Sequence, residues 1–309
     1  MVISVYLPNE IRAFALQPCH RARLATAFPR ASLHFCATEK TFLARLPETT
    51  HALVWNFRGA WLPRATKLRC VATPAAGHEG IEVLPDARLT VLFGTFHGQL
   101  IAQTVLAQLL AFNRGILAAE RLQRGGDAWP RVALVPHMFN MHGTHAVILG
   151  FGHIGQAIGA LLKPFNIRVT GLRRDTKQPP PEWFSVGDRM LPVAELDAVL
   201  PTADHVICAL PGTTRTTHLL NAKRLARLPR RAVVYNIGRG NAIDETALAK
   251  RLCAGRLRGA LLDVFETEPL PADSPLRNAP NFYPLPHASA IAPDYLDLWL
   301  DECIPLLGK

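Results

Sequence analysis

Arg239, Asp263, Glu268 and His287 each stand at or just beyond the end of an apolar, β-rich run. Arg239 follows "VVYNIG", Asp263 and Glu268 lie in "GALLDVFETEPLP", and His287 follows "NFYPLP". In a parallel α/β sheet, residues past the carboxyl ends of strands face the crevice where ligands bind. A fixed guanidinium stabilises negative charge developing on a substrate oxygen. An imidazole is suited to give or take a proton near neutrality, and a neighbouring carboxylate favours its charged form. For one His among twelve, a structural role is the simpler reading; the set as a whole argues for polarising an oxygen and moving a proton to it.

A second pattern is "VILGFGHIGQ", in which Gly150, Gly152 and Gly155 form G-x-G-x-x-G between the strand "HAVILG" and the helix "HIGQAIGALLKPF". Gly150 permits the tight turn, Gly152 the approach of a pyrophosphate, and Gly155 close helix–strand packing. The diphosphate would sit on the helix N-terminus, at His153 and Ile154, where unpaired N–H groups favour anions. About twenty residues on, a turn that binds NAD normally meets an acid that holds the ribose. Here the strand within "VTGLRRD" ends in Arg173 and Arg174, with Lys177 close behind. Guanidinium forks suit a 2′-phosphate, so NADP (as NADPH) is the preferred cofactor and NAD a possible one. Two charge-assisted bonds of roughly 1.5–3 kcal/mol each would shift preference by about two orders of magnitude or more. Two other readings stand beside this one: exposed arginines on a basic protein, or Asp175 as the ribose acid displaced by two residues.

The elements that must position these residues follow an alternating pattern. Runs at 2–7, 32–37, 51–57, 68–73 and 89–94 read as strands separated by Ala-, Leu- and Arg-rich segments, as in a parallel sheet. Residues 99–123 read as one long helix, and 124–143 as an irregular excursion. From His145 six further strands are expected, ending with "NFYPLP". The last segment, "PDYLDLWLDECIPLLGK", is amphipathic and is expected to return to the first domain. The fold class is α/β: two Rossmann-like, doubly wound parallel-sheet domains. A split substrate domain (1–98 with 288–309) flanks a coenzyme domain (99–287).

Bulk properties narrow the function classes. The chain has 309 residues, 49% hydrophobic and 19% charged, with no run apolar enough to span a membrane. "MVISVYLPNE" reads as a first strand rather than a signal, which points to the cytoplasm. Six scattered cysteines lack paired spacing and read as free thiols. A net charge of +10 admits nucleic acid or an anionic ligand. The densest basic run, residues 222–231, lacks interleaved aromatics and reads as a solvated helix face, so no nucleic-acid partner is expected. His137, His142 and His145 cluster without nearby acids or thiols, and no metal is expected there.

From "ATPAAGHEGI" through the glycine turn, "LPGTTRTTHLLN", "NIGRGNAIDETAL" and "LLDVFETEPL" to "PLPHASA", the chain resembles the D-isomer-specific 2-hydroxyacid dehydrogenase family. The motifs cover over two thirds of the chain in the family's order, with the family's typical 29 residues from Arg239 to Glu268. The resemblance implies that Arg239 binds the substrate carboxylate and polarises its keto oxygen. His287 would exchange a proton with that oxygen, Glu268 would hydrogen-bond the imidazole, and Asp263 would hold the nicotinamide side of the cofactor. Leu210, Pro211, Thr216, Ile237 and Gly238 fall in motifs that border the coenzyme. Ala76 and Gly77 would receive the substrate carboxylate through backbone N–H groups. Arg58, at another strand end, reads equally as a second anion contact or as solvated, and Trp55 and Phe96 as pocket wall or as core.

The arginines at 173 and 174 are similar to those of the family's glyoxylate/hydroxypyruvate reductases. NADPH-linked reduction of a small 2-keto acid by a homodimer is therefore expected. An NAD-dependent enzyme for another acid, such as phosphite or a branched keto acid, is one alternative. A nucleotide-sensing, corepressor-like binding protein is another. Gln103 in place of a common Glu, "HASA" after the His, and a short C-terminal tail depart from the family's pattern and bear on substrate identity and domain contact.

Overall fold

The computed structural model describes residues 1–83 and 89–308. They fall into two compact units, Met1–His97 with Ile291–Lys309, and Gly98–Ala290.

The first unit is built on strands β1 (Val2–Tyr6), β2 (Ser32–Phe35), β3 (His51–Val54), β4 (Cys70–Thr73) and β5 (Thr90–Phe93). They pair in the order β2-β1-β3-β4-β5, every pair parallel. Helices α1 (Pro18–Ala27) and α2 (Glu39–Arg45) make the first two crossovers. All four residues of β4 are buried, as a sheet covered on both faces requires. Phe42, Phe57 and Trp61 fill the core beside Val54 and Val71.

The second unit carries seven parallel strands: β6 (His145–Leu149), β7 (Arg168–Arg173), β8 (Arg189–Pro192), β9 (His205–Cys208), β10 (Val233–Asn236), β11 (Gly259–Leu262) and β12 (Phe282–Pro284). Their order is β12-β11-β10-β9-β6-β7-β8. The sequence suggested six strands; β8 is the addition. It is an edge strand that begins with Arg189 and ends with Pro192, and its composition gave no apolar run to recognise.

Its helices are α3 (His97–Asn113, all but the first residue in this unit), α4 (Ile116–Arg124), α5 (His153–Leu162), α6 (Leu196–Val199), α7 (Ala222–Arg227) and α8 (Glu245–Cys253). The central strands alternate between two cores. Val147 and Leu149 of β6 pack with Val206, Leu225 and Leu248, whereas Ala146 and Ile148 pack with Val105, Leu109 and Ile158.

The single long helix expected over 99–123 is two helices. Gly115 takes the left-handed conformation (φ 67°) and separates α3 from α4. A β-carbon there would also come within 2.8 Å of the Met138 sulfur. The break lets the chain return alongside itself, with Phe139 N–H donating to the Asn113 carbonyl at 2.8 Å. The basic run at 222–231 forms α7 and its exit. Arg224 pairs with Asp197, and Arg231 pairs with Asp204.

The chain ends in α9 (Tyr295–Leu307), a helix of the first unit, where Arg23 bonds Asp297 at 2.9 Å and also pairs with Asp301. Among the described residues no helix is long and apolar enough to cross a membrane.

Candidate active site

The strand order of the second unit reverses between β6 and β9, and the glycine turn lies at that switch. Gly150 has φ 90°, and a β-carbon there would overlap the Ala209 carbonyl. Gly155 packs against the Gly150 carbonyl just as closely. Gly152 differs: a β-carbon there would meet nothing within 4 Å. Gly152 is also the N-cap of α5, and no described side chain caps that helix. His153 and Ile154 form its first turn, so open space and unpaired N–H groups coincide, as a diphosphate needs. The residues present therefore fit a dinucleotide.

Leu210 and Pro211 continue from β9 beside this turn. A β-carbon on Gly238 would lie 2.5 Å from the Leu210 carbonyl oxygen, so the segments after β6, β9 and β10 form one wall. Thr216 shapes the loop that follows, donating to the Pro211 carbonyl at 2.7 Å and accepting the Thr213 N–H at 2.9 Å. Ile237 is buried, and its N–H donates to the Cys208 carbonyl at 3.0 Å. Arg173 closes β7 and bonds Gln178 at 3.0 Å; Arg174 is exposed next to it. Asp175 accepts the backbone N–H of Lys177 at 2.9 Å, which engages that oxygen in a local turn.

Asn236 sets the next element. This buried side chain at the end of β10 accepts the Gly238 N–H at 3.1 Å and donates to the Arg239 carbonyl at 3.0 Å. The Arg239 guanidinium in turn bonds the Gly238 carbonyl at 2.8 Å. The chain then turns at Gly240, where a β-carbon would overlap the Phe265 carbonyl. Loops after β10 and β11 are thus packed backbone to backbone.

Asp263, fully buried at the end of β11, straps down the segment after β12. Its carbonyl accepts the His287 N–H at 2.9 Å, and its carboxylate accepts Ala288 N–H at 2.7 Å and Ser289 N–H at 3.1 Å. His287 has φ 52°, an uncommon conformation for a residue with a side chain. Its Nδ1 meets Glu268 Oε2 at 2.8 Å, and Glu268 Oε1 accepts the Phe265 N–H at 3.0 Å. A cavity of about 520 Å³ opens beside the pair, with Phe265, Leu270, Leu285 and Pro286 among its lining residues. That size suits a small-molecule site.

The remaining candidates lie in the first unit. Ala76 and Gly77 follow β4, just past Ala75, whose N–H is tied to the Thr73 hydroxyl at 3.2 Å. Arg58 is exposed, pairs with Glu39 at 3.3 Å and lies over the Trp61 ring. Trp55 and Phe96 both pack on Tyr295, whose hydroxyl bonds His97 at 2.8 Å. Of the three clustered histidines in the second unit, His145 is buried and bonded to Thr170, and His142 bonds Asn166.

The sequence reading missed Asn236 and the burial of the Asp263 carboxylate under two backbone amides. The available signal for Asn236 was a polar residue inside an apolar strand, which needs a hydrogen-bonding reason to be there.

A seven-stranded parallel sheet whose glycine turn opens at the reversal of strand order defines a dinucleotide-binding domain of the Rossmann class. Residues 106–289 match the model for the D-isomer specific 2-hydroxyacid dehydrogenase NAD binding domain. Glyoxylate/hydroxypyruvate reductase B of Escherichia fergusonii is 35% identical over 84% of this chain and 83% of its own. A D-isomer specific 2-hydroxyacid dehydrogenase from Xanthobacter autotrophicus, solved with NADPH, superposes with TM-score 0.80 at 30% identity, covering 98% of this chain and 93% of that one. An NADPH-dependent glyoxylate/hydroxypyruvate reductase from Sinorhizobium meliloti, solved with NADP and sulfate, gives 0.79 at 27% identity over the same shares. The chain belongs to the D-isomer specific 2-hydroxyacid dehydrogenase family and is an NAD(P)-dependent oxidoreductase.

Proposed function

We propose that the protein reduces a small 2-keto acid, of the glyoxylate or hydroxypyruvate type, to the D-2-hydroxy acid with NADPH in preference to NADH. The observation that carries this reading is the His287–Glu268 pair at 2.8 Å, at the end of the same sheet whose glycine turn fits a dinucleotide. With Nδ1 engaged by the carboxylate, Nε2 is the ring nitrogen that faces a substrate oxygen. The bound nucleotide supplies the hydride to the keto carbon. Arg239 holds the substrate carboxylate and stabilises the charge developing on the keto oxygen. His287 gives that oxygen its proton, so one hydride and one proton complete the two-electron reduction. Glu268 orients the ring through its bond to Nδ1.

The same reading gives the second unit the coenzyme, with Arg173 and Arg174 toward the 2′-phosphate and Asp263 near the nicotinamide. The first unit takes the substrate through Ala76 and Gly77, with Arg58 available to a second anion. The relatives named above act on this substrate class or were solved with this nucleotide, which supports both choices. We also place the protein in the cytoplasm as a homodimer. Trp129, Val132 and Val135 are 81%, 84% and 69% exposed, an apolar stretch that a second copy would cover.

The test is a panel of 2-keto acids with NADPH or NADH, followed by absorbance of the reduced nicotinamide. Turnover of glyoxylate or hydroxypyruvate with NADPH is expected. Tight nucleotide binding without turnover of any acid would favour a sensing role instead.

A further inference from the structure

The turn that carries Glu268 is anchored to helix α8. Glu245, the first residue of that helix, accepts the Glu266 N–H through Oε1 at 2.7 Å. Glu245 is itself held by its helix. Asp244 caps α8 by accepting the Ala247 N–H at 2.9 Å, and Ala247, Leu248 and Ala249 are buried in the core. The Glu266 carboxylate reaches the other way, to His218 Nε2 at 2.6 Å. Gly240 packs on the same peptide from a third side. From Glu266 the turn leads to Glu268, whose two oxygens take the Phe265 N–H and the His287 ring. Burial, together with the neighbouring Glu266 and Glu268 carboxylates, holds the Glu245 carboxyl above the usual carboxylate range.

We propose that Glu245 is a positioning residue for proton transfer: its bond to the Glu266 N–H fixes the turn from which Glu268 orients the His287 ring. This rests on the reading of His287 as proton donor. Glu245→Ala removes the acceptor, whereas Glu245→Gln keeps an oxygen acceptor and removes only the charge. In the Ala variant kcat should fall at least about tenfold, the size expected from losing one such bond. Its KM for NADPH should be unchanged, and amide exchange at Phe265, which Glu245 does not bond, should quicken. The Gln variant should stay within about threefold of the unmodified protein in kcat, with Phe265 exchange unchanged. Unaltered kcat and exchange in the Ala variant would overturn the proposal. Equal damage in the Gln variant would also overturn it, because charge rather than the hydrogen bond would then matter. Exchange is read without substrate, so failure to turn over any keto acid would count against the functional reading and leave the positioning measured.

Discussion

Asp263 holds His287 through its backbone and the two residues that follow His287 through its side chain. The His287 N–H donates to the Asp263 carbonyl at 2.9 Å, and the Asp263 carboxylate takes the next two amides, at 2.7 and 3.1 Å. A non-glycine residue at φ 52° costs on the order of 1 kcal/mol or more and persists where its surroundings over-determine it. These three bonds supply that constraint, so the buried acid presents the imidazole in addition to the cofactor role proposed for it. Asp263→Asn turns one acceptor into a donor facing a backbone N–H. Unfolding free energy should drop by about 1–3 kcal/mol, and kcat should drop at least about tenfold as the ring loses its presentation. Denaturant unfolding and steady-state kinetics read the two effects; normal kcat would show that the strap does not position His287.

Removing the proposed proton donor separates chemistry from binding. His287→Ala should lower kcat for keto-acid reduction by roughly 10²–10⁴-fold, the usual worth of a positioned general acid. NADPH affinity, measured by nucleotide fluorescence titration, should stay near that of the unmodified protein, because the glycine turn at 150–155 is built without His287. Glu268→Gln should fall between the two, since an amide oxygen can still bond Nδ1 but holds it less strongly than a carboxylate does. Activity surviving in the Ala variant would mean that another group donates the proton.

Much of this site was readable in the chain because its residues sit where periodicity stops. Arg239, Glu268 and His287 each follow an apolar strand, and the glycines of the cofactor turn lie between a strand and a helix. What stayed hidden depends on tertiary contacts that leave little local trace. Glu245 looks like any acid in a helix first turn until its partner, 21 residues away, is known. Gly115 is a single glycine in an otherwise continuous helical pattern, and only its left-handed conformation against Met138 marks the break. β8 lacks an apolar run because it is an edge strand with Arg189 and Pro192 at its ends. Polar neighbours suit an edge, and they remove the signal by which strands are found.

The proposed preference for NADPH rests on the end of β7. Arg173 bonds Gln178 there, a neutral partner that leaves the guanidinium's charge uncancelled at that contact. An aspartate at 173 would repel a 2′-phosphate and accept the ribose hydroxyls of NADH. Arg173→Asp should shift the ratio of kcat/KM values, NADPH over NADH, toward NADH by about two orders of magnitude. If the unmodified protein already prefers NADH, the arginines are a surface feature and Asp175 becomes the acid to substitute next.

Acid should weaken the fold through a histidine outside the site. His205, at the start of β9, is fully buried against Tyr235, and burial, with the nearby Arg258 charge, lowers its pKa to about 3. Asp204 opposes that shift and His145 adds to it. The unfolded chain takes up this proton near pH 6.5, whereas the native state refuses it until about pH 3. Between those values the unfolded state holds one more proton, so stability rises with pH and falls as acid is added. The contribution is complete above pH 6.5, and about 2 kcal/mol of it is lost by pH 5, at roughly 1.4 kcal/mol per pH unit. His145, also lowered chiefly by burial, adds loss of the same sign. Urea unfolding from pH 7.5 to 5 should show this slope, and His205→Leu, close in volume and unable to titrate, should flatten it by one proton. Equal slopes in the two proteins would mean that His205 is protonated in the native state as readily as in the unfolded one.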